Sequence, residues 1–470
     1  MTATALDLVI VGNGAAAAEA AQAARAAGHR GEIDLFADNH YPPYNPMLGP
    51  YYVAGAIPAE RCFPFGGAGF YERNRIRTHL GEGVVELAPW EKRLATTDGS
   101  EYTYRACLVA SGAHTSFPPI AGLDAPGVFG LRSFDDALAV KEAVARAMAR
   151  AAGDARAPWP AGDSLAPRPA GDSLAPRAVV LGASFAGLKV ADALRDAGLE
   201  VCIVEKEPGV LPLAVLPDCG RLIEQHVRQQ GHTLMLGATV DRVEETEGRL
   251  IARLGRRSAG AGAARADARA PAVEPVAAAH DRGESVESLE ADLLVVCAGS
   301  RPNLAFLAGG EVETDAGIVV DEHMKTNVPG LFAAGDVAQA LDPLSGRHEV
   351  VALWASARRQ GRTAGRNMAG LHAEDPGCTS CNIQKVGDLL FASGGSSREY
   401  DSLDARVGGG GLSTLAYREG RLTGFNLVGG AAAAGPLACA LVRGTDVNVA
   451  DGASATQWAR RIAWMRSSAS

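Results

Sequence analysis

The sequence predicts an α/β protein with two parallel-sheet domains and a smaller C-terminal α+β domain. Two observations predict this fold class. A short apolar strand, a glycine-rich turn, a helix and a second strand occur twice, with turns that begin at Gly12 and Gly182. Each copy is a βαβ unit, from which parallel sheets are built. The C-terminal part instead alternates apolar and polar residues, as antiparallel strands do.

Length and composition are compatible with this division. The chain has 470 residues, of which 47% are apolar and 21% charged, as in a globular protein with several domains. The net charge is -9 and no block of Lys or Arg occurs, so we expect no nucleic-acid partner. No apolar stretch is long enough to span a bilayer, and the first strand begins close to Met1. These features predict a cytoplasmic protein without a signal peptide.

The first βαβ unit carries a dinucleotide-binding signature. The strand Leu6–Val11 leads into the turn Gly12–Gly14, an alanine-rich helix over Ala15–Ala27 and a strand over Glu32–Phe36 that ends at Asp38. Glycines in such a turn let the backbone approach a pyrophosphate at the helix N-terminus, where free N–H groups and the helix dipole stabilise negative charge. Asp38 can accept hydrogen bonds from ribose hydroxyls. The alternative is a glycine turn that only packs the helix on the sheet.

The second βαβ unit has the same order of elements. Ala178–Leu181 is strand-like, Gly182–Gly187 forms the turn, and a helix and the strand Glu200–Val204 lead to Glu205. Ser184 stands where the signature has its middle glycine, so the backbone approaches a phosphate less freely, although the hydroxyl could donate a hydrogen bond to it. Glu205 would bind a free 2'-hydroxyl and repel a 2'-phosphate, which favours NADH over NADPH.

Two segments have the composition of mobile insertions. Residues 151–177 are rich in Ala, Pro and Gly and contain the octapeptide AGDSLAPR twice, at Ala161–Arg168 and Ala170–Arg177. Residues 255–290 are rich in Ala, Arg, Gly and Glu and have no apolar period. Neither segment can bury enough apolar surface to offset its conformational entropy, so we expect both to be mobile loops.

The remaining elements complete the two domains and form the third. Apolar runs predict strands over Ala291–Ala298 and Gly317–Val320, a strand that leads into Gly335-Asp336, and a helix over Trp354–Met368. In the C-terminal part, the pattern predicts strands over Leu412–Tyr417 and Thr423–Val428 and a covering helix over Gly435–Arg443. The third unit is therefore a small antiparallel sheet with a helix on one face.

Five motifs in a fixed order give the chain a family resemblance. They are Gly12-Asn-Gly14, Tyr44-Asn-Pro-Met-Leu48 through Gly55, Ala110-Ser-Gly-Ala113, Gly182–Gly187, and Thr326 through Gly335-Asp336. With them the chain resembles the FAD- and NAD(P)-dependent pyridine nucleotide oxidoreductases of the rubredoxin reductase, ferredoxin reductase and nitrite reductase flavin-domain type. The segment from Tyr44 to Gly55 resembles the one beneath the flavin, and the strand Gly81–Val84 resembles the segment that contacts the adenine. The resemblance covers the chain apart from the two insertions and the extreme C-terminus.

The resemblance implies two Rossmann-like domains that bind FAD and NAD(H). FAD would bind to residues 1–125 and 301–372 and NAD(H) to residues 126–300, while residues 373–470 would form an α+β interface domain, which implies a homodimer. The residues expected to bind the cofactors are Gly12, Asn13, Gly14, Ala15, Ala16, Asp38, Asn45, Val84, Ser111, Gly112, Gly182, Ser184, Gly187, Glu205, Gly299, Gly335, Asp336 and Trp354. Trp354 could cover the flavin ring, or it could be a core aromatic residue at a helix start.

Two positions depart from the family pattern. Many relatives have a lysine under the flavin and a glutamate on the NAD-domain helix, and at these positions the chain has Tyr51 and Lys189. The hypothesis is that Lys189 supplies the cation near the reduced flavin, with Tyr51 opposite it. The alternative is a surface lysine at a tolerant helix position.

The cysteines argue against a thiol relay. The segment Asn39–Gly55, where disulfide reductases of the family have their reactive cysteines, contains none, and Cys62 lies beyond it. Cys378-x-x-Cys381 is a close pair, but His372 is the only nearby further ligand, so we expect a surface dithiol or a structural pair and no metal site.

Without a thiol to carry electrons onward, an external acceptor is expected. An iron–sulfur protein such as rubredoxin, ferredoxin or a partner subunit fits best. Two alternatives stay open: reduction of a small molecule such as oxygen, a quinone or a sulfur compound, and a non-catalytic flavin-binding assembly or regulatory subunit. The departures at Ser184 and Lys189 are compatible with the second alternative.

Overall fold

A computed structural model of the protein describes residues 3–151, 175–256, 288–408 and 411–443. The first octapeptide, most of the second and most of the segment 255–290 lie outside these ranges. The predicted bounds of both insertions are too wide, because residues at their ends belong to strands. Arg177 pairs with Glu200 in a parallel ladder, and Ser288–Ala291 pairs antiparallel with Leu250–Arg253.

The described residues contain eight α-helices, and the four that begin at Ala15, Phe185, Trp354 and Ala434 were predicted from the sequence. The eight helices are α1 (Ala15–Ala26), α2 (Gly49–Val53), α3 (Gly69–Arg73), α4 (Phe134–Ala151), α5 (Phe185–Asp196), α6 (Pro217–Gln229), α7 (Trp354–Met368) and α8 (Ala434–Arg443). None of these helices is both long and apolar enough to cross a membrane.

The strands of the described residues fall into several sheets. In chain order they are β1 (Thr4–Val11), β2 (Ile33–Ala37), β3 (Arg77–Leu80), β4 (Val84–Ala88), β5 (Arg93–Thr96), β6 (Glu101–Val109), β7 (Ala113–Thr115), β8 (Val128–Phe129), β9 (Arg177–Leu181), β10 (Glu200–Glu205), β11 (Thr233–Leu236), β12 (Ala238–Thr246), β13 (Arg249–Arg256), β14 (Ser288–Ala291), β15 (Leu293–Val296), β16 (Ser300–Pro302), β17 (Ile318–Val319), β18 (Leu331–Ala333), β19 (Ala338–Asp342), β20 (Arg347–Glu349), β21 (Cys381–Val386), β22 (Leu389–Gly395), β23 (Ser402–Gly408), β24 (Gly411–Arg418) and β25 (Arg421–Val428).

The first sheet has seven strands in the order β3-β2-β1-β6-β5-β4, with β18 also paired to β6. Strands β1, β2, β3, β6 and β18 are parallel, while β4 and β5 form antiparallel pairs. The late strand β18 therefore returns to the sheet that the N-terminal strands begin. Residues from the N-terminal stretch and from the stretch after β17 therefore share one hydrophobic core.

The second sheet has five parallel strands in the order β11-β10-β9-β15-β8. Its central strand β9 is fully buried, as expected for a parallel strand with both faces covered. The predicted α/β class with two separate parallel sheets is thus confirmed. An antiparallel sheet of β12, β13 and β14 packs against one face of the second sheet.

The C-terminal sheet is antiparallel, with the order β21-β22-β25-β24-β23. Helix α8 packs on one face, where Leu437 and Leu441 join the same core as Phe425. The opposite face contributes Phe391 and Leu412 to the core of the second sheet. The predicted α+β unit is confirmed, and its sheet is covered on both faces.

Helices α1 and α7 pack unusually closely because α7 has glycines at the contact. A Cβ atom at Gly361 would overlap the carbonyl oxygen of Ala16, and one at Gly365 would overlap that of Ala20. Larger residues at these positions would force the helices apart. Beside this contact, the buried carboxylate of Glu19 accepts hydrogen bonds from arginines of α7.

Two predicted strands were wrong in extent. The segment Gly81–Gly83 is a turn with Gly81 at φ +80°, and only Val84 begins a strand. The run predicted over Ala291–Ala298 divides at Asp292, between β14 and β15. The physical reason is that the Asp292 carboxylate accepts a hydrogen bond from the backbone N–H of Arg177. Asp292 therefore ends the antiparallel ladder of β14, and the parallel ladder of β15 begins after it.

Candidate functional site

The residues predicted to hold the first dinucleotide converge at the carboxyl edge of the first sheet. Gly12 follows β1, Asp38 follows β2, Ser111 lies two residues beyond β6, and Gly335 lies two residues beyond β18. Ligands of open α/β sheets bind at this edge. The fold therefore brings together motifs that are far apart in the sequence.

The turn after β1 can receive a pyrophosphate. Gly12 has φ +110°, and a Cβ atom there would overlap the carbonyl oxygen of Ala110. Gly14 caps α1 without a side chain, and a Cβ atom there would meet no protein atom within 4 Å. Ala15 and Ala16 form the buried first turn of α1. Open space in front of free N–H groups is what a phosphate requires, so these residues fit FAD.

The side chain of Asn13 forms hydrogen bonds within the protein. Its Nδ2 donates to the carbonyl oxygen of Tyr41 at 2.6 Å, and the Tyr71 hydroxyl donates to its Oδ1 at 3.0 Å. The side chain therefore fixes the segment that follows β2, and only the backbone of Asn13 is available to a ligand.

Asp38 and Val84 lie where an adenosine could bind. Asp38 is exposed just after β2, and Val84 is half-buried at the start of β4. A Cβ atom at Gly83 would lie 3.6 Å from Cβ of Asp38, so the turn before β4 borders the carboxylate. The two predicted contacts are thus neighbours.

The crossover after β6 is held by Asn303, which the sequence did not reveal. The Ser111 hydroxyl donates to the carbonyl oxygen of Asn303 at 2.9 Å, and Asn303 Nδ2 donates to the carbonyl oxygen of Ser111 at 2.8 Å. Gly112 has φ +67°, and its carbonyl oxygen accepts from the N–H of Asn303. The Ser111 hydroxyl proton is therefore used inside the protein.

Arg132 is a further residue of the candidate site that the sequence pattern does not predict. Its guanidinium forms an ion pair with Asp336 and donates from Nε to the carbonyl oxygen of Ala113 at 3.1 Å. Burial raises the pKa of the Asp336 carboxyl, and the charge and hydrogen bond of Arg132 oppose this effect. The preceding Gly335 is fixed by its N–H bond to Gln360. No local signal marks Arg132, because its partners are distant in the sequence.

An aromatic cluster surrounds the segment predicted to lie under the flavin. The ring of Phe134, at the start of α4, is 5.1 Å from that of Tyr41, 5.5 Å from that of Tyr52 and 5.0 Å from that of Phe63. Burial raises the pKa of neighbouring Tyr44 to about 12, which keeps this hydroxyl neutral. The cluster gives the segment a rigid base.

Two other predicted residues have mainly structural contacts. Asn45 accepts a hydrogen bond from the N–H of Met47 at 3.0 Å and so caps a short helical turn. Trp354 begins α7, and its ring lies 6.0 Å from that of Phe65, packed against the core of the first sheet. Trp354 is half-buried, so this packing is compatible with both interpretations of its role.

The two positions that depart from the family pattern meet in the structure. Nζ of Lys189 on α5 lies 4.1 Å from the centroid of the Tyr51 ring on α2. A cation over an aromatic face is attracted by the ring quadrupole, by about 0.5–1 kcal/mol at exposed sites. Tyr51 is 39% exposed, so the pair lies at the surface where the two helices approach each other.

The residues predicted to hold the second dinucleotide lie at the carboxyl edge of the second sheet. Gly182 follows β9 with φ +109°, and a Cβ atom there would lie 2.7 Å from the carbonyl oxygen of Cys297. Gly187 is buried in the first turn of α5, where a Cβ atom would overlap the Gly182 carbonyl oxygen. Gly299, at φ +117°, is exposed beyond β15. This cradle fits a second pyrophosphate.

Ser184 is the N-cap of α5, and the structure corrects its expected role. Its Oγ accepts from the N–H of Gly187 at 3.2 Å and donates to the carbonyl oxygen of Cys297 at 3.1 Å. Because a hydroxyl has a single proton, this bond uses the donor that was expected to reach a phosphate. Ser184 therefore shapes the turn through its side chain.

Glu205 is buried at the end of β10 and organises the same turn. One carboxylate oxygen accepts from the N–H of Ala183 at 2.8 Å and the other from the N–H of Glu207 at 2.9 Å. Each oxygen has a second lone pair, so the carboxylate can still accept from a ribose hydroxyl. Its negative charge is held in one orientation.

All eight cysteines lie within the described residues, and all are free. Cys62 is 1% exposed, and burial raises the pKa of its thiol, partly opposed by Lys141. Cys378 and Cys381 are half-buried, and burial, together with the charge of Cys378, raises the pKa of the Cys381 thiol. In the described ranges, no cluster of His, Cys, Asp and Glu could hold a metal ion.

Comparisons with known proteins agree with this geometry. The epsilon subunit of an NADH-dependent phenylglyoxylate dehydrogenase from Aromatoleum evansii is 31% identical over 369 residues, which cover 78% of this chain and 73% of that protein. A rubredoxin-NAD(+) reductase from Ectopseudomonas oleovorans is 26% identical and covers 89% of this chain and 94% of its own.

A solved structure shows the same fold. The water-forming NADH oxidase from Lactobacillus brevis, bound to NADH, superimposes with a TM-score of 0.77 at 18% identity, over 99% of both chains. The family model described as pyridine nucleotide-disulphide oxidoreductase matches residues 6–361. The chain therefore belongs to the pyridine nucleotide-disulphide oxidoreductase family, as an FAD-dependent NAD(P)H oxidoreductase.

Proposed function

We propose that this protein is an NADH:acceptor oxidoreductase that passes electrons from NADH through FAD to an iron–sulfur protein. The observation that carries the proposal is the state of the cysteines. None lies in the segment 39–55, the nearest one, Cys62, is buried with a raised pKa, and all eight are free. A reductase without a reactive thiol pair has to deliver its electrons to an acceptor outside the chain.

In this proposal each of four stretches of the chain has its own role. Residues 1–125 and 301–372 hold FAD, residues 126–300 hold NAD(H), and residues 373–470 form an interface domain. When bound, FAD supplies the redox chemistry. The chain supplies two phosphate-binding helix N-termini, at α1 and α5, and the rigid aromatic base around Phe134. Held geometry removes much of the entropic barrier to transfer between two bound rings.

The proposed preference for NADH rests on Glu205. A carboxylate that two backbone amides hold in place cannot turn away from an incoming 2'-phosphate. The resulting repulsion disfavours NADPH, while a 2'-hydroxyl can donate to the free lone pairs.

We further propose that Lys189 replaces the lysine that relatives have under the flavin. The cation stands over Tyr51, whose helix α2 lies within the segment expected beneath the flavin. A positive charge at this place would stabilise negative charge that develops on a neighbouring ring system. Tyr51 would hold the ammonium in position through its ring.

The names of relatives support an external acceptor. The protein from Ectopseudomonas oleovorans is called a rubredoxin-NAD(+) reductase, and the one from Aromatoleum evansii is a subunit of a larger dehydrogenase. A second candidate function is the reduction of a small molecule, because a protein 26% identical over 82% of this chain is called an NADH oxidase.

Anaerobic mixing of the FAD-loaded protein with NADH tests the proposal. We expect the yellow flavin colour to bleach and to return when oxidised rubredoxin or ferredoxin is added. Colour that returns as fast with oxygen or a quinone would favour the small-molecule alternative. A flavin that NADH does not bleach would favour a non-catalytic assembly subunit and contradict the proposal.

Two further proposals concern the setting of the enzyme. Eight unpaired cysteines suit a reducing compartment, so we propose a cytoplasmic location.

We also propose a homodimer formed through the C-terminal domain. Sedimentation at micromolar concentration should then give twice the mass of one chain, and the mass of a single chain would contradict it.

A further inference from the structure

A cavity lined by arginines lies at the opposite edge of the first sheet from the dinucleotide turn. It has a volume of about 420 Å³ and is bordered by Arg25, Arg30, Arg75 and Arg77, with Glu32 as the one lining carboxylate. We call these four residues the arginine pocket. In a chain with a net charge of -9, such a concentration of positive charge requires an explanation.

Arg25 builds the pocket. Its guanidinium donates to the carbonyl oxygens of His29 and Gly31, which precede β2, and to those of Asn74 and Arg75, which precede β3. These bonds occupy four of its five N–H groups and tie the two loops together. The pocket is thus a fixed feature of the fold.

The protein neutralises only part of the positive charge of the pocket. Arg77 pairs with Glu32 and Asp34, but Arg30 and Arg75 form no ion pair within the described ranges. The pKa of Arg25 is lowered by burial and then by the charges of Arg75 and Arg30. Two exposed guanidiniums therefore line the cavity without a bound carboxylate, because its one carboxylate, Glu32, is paired with Arg77.

The turn at Arg75 is fixed by the residue that builds the pocket. Arg75 has φ +51°, and its carbonyl oxygen accepts a hydrogen bond from Nη2 of Arg25 at 2.7 Å. The side chain of Arg75 lines the pocket, so this bond holds the backbone from which it extends.

We propose that the arginine pocket binds a small molecule with two or more linked phosphate groups. Guanidinium groups bind phosphate oxygens in a bidentate manner, and several unpaired arginines need more than one negative charge. The cavity is open to solvent, and its volume of about 420 Å³ can hold a diphosphate with part of a nucleoside. Because β2 spans five residues, the ligand would lie about 17 Å from the dinucleotide edge. It would therefore act as an effector and not as a reactant.

Calorimetric titration with pyrophosphate tests the proposal. The FAD-loaded protein is used with saturating NAD+, so that both dinucleotide turns are filled. We expect one pyrophosphate per chain, and about tenfold weaker binding in Arg30→Gln and in Arg75→Asn. Asparagine at position 75 removes the charge and tolerates the left-handed backbone. Both arginines are exposed, so neither change should prevent folding.

The matched control is Arg421→Gln, which removes one exposed arginine of the C-terminal sheet and should leave the affinity unchanged. Adenosine diphosphate, titrated in the same way, should bind more tightly than pyrophosphate if the natural ligand is a nucleotide and no more tightly if it is a free inorganic anion. No binding of pyrophosphate, or equal affinity in the wild type and all three variants, would overturn the proposal.

Discussion

At the scale of single residues, several side chains of the candidate site form hydrogen bonds that fix the backbone of the two turns. Ser184 caps α5 with the hydroxyl that was expected at a phosphate, and Asn13 binds the segment after β2. In both turns the side chains therefore position the backbone, and the backbone N–H groups are left for the cofactor. Glu205 and Lys189 are different, because the proposed function assigns a role to the charge of each.

Glu205→Gln should weaken the preference for NADH. The amide retains one acceptor oxygen and the size of the side chain, but it removes the negative charge that repels a 2'-phosphate. We expect the ratio of kcat/KM for NADH to that for NADPH to fall about tenfold, equivalent to about 1.4 kcal/mol. Steady-state kinetics with both nucleotides measures this ratio. An unchanged ratio would show that Glu205 acts only on the turn.

Lys189→Ala should slow the reduction of the flavin by NADH by about tenfold and lower its midpoint potential, because a cation beside the ring is lost. Stopped-flow absorbance measures the rate, and a redox titration measures the potential. Lys189→Arg is the matched variant, since it keeps the charge over Tyr51 and should retain most of both values. Equal rates and potentials in all three proteins would make Lys189 an ordinary surface residue.

At the scale of elements, the contact between α1 and α7 determines how closely the late motif approaches the dinucleotide turn. Gly361→Ala places a methyl group against the backbone of Ala16, so we expect a loss of about 1–3 kcal/mol in the free energy of unfolding. The control is Gly435→Ala in α8, where a Cβ atom meets nothing within 4 Å and should stabilise the helix slightly. Denaturant unfolding compares the two. If both changes act in the same direction, close packing at Gly361 is not important.

The elements also show what the sequence can predict. The two βαβ units and the helix Trp354–Met368 were confirmed within a residue or two, because periodicity and glycine turns are local signals. Arg132, Asn303 and Phe134 could not be predicted as site residues. Their roles depend on partners that only the folded chain brings near, and a single arginine or phenylalanine carries no pattern.

At the scale of the whole molecule, a buried polar contact joins Asp192 of helix α5, which packs on the second sheet, to the turn between β21 and β22 of the C-terminal sheet. Burial would raise the pKa of Asp192, but hydrogen bonds from His232 and the N–H of Gly387, together with the charge of Arg195, lower it overall. A carboxylate with a depressed pKa contributes stability above the pKa of the unfolded chain, near 4, and loses that contribution as the pH falls further. The contact therefore weakens in acid.

Asp192→Asn tests this linkage. At pH 7 we expect the variant to be less stable by about 1.5–3 kcal/mol, since hydrogen bonds to a charged group are lost. The difference in melting temperature between the wild type and the variant should shrink as the pH falls below about 4. Calorimetry between pH 3 and pH 7 measures it. A difference that stays constant over this range would contradict the assignment.

The place of β18 in the first sheet has a consequence for biosynthesis. Because Leu331–Ala333 pairs with β6, the N-terminal strands cannot complete their sheet until the ribosome has made the residues after β17. The second sheet, whose strands end at Val296, is complete earlier and should fold while the first still waits. Nascent chains that end near residue 310 should then resist protease in the middle third and be cut near the N-terminus. Chains extended past Met368 should resist protease in both regions.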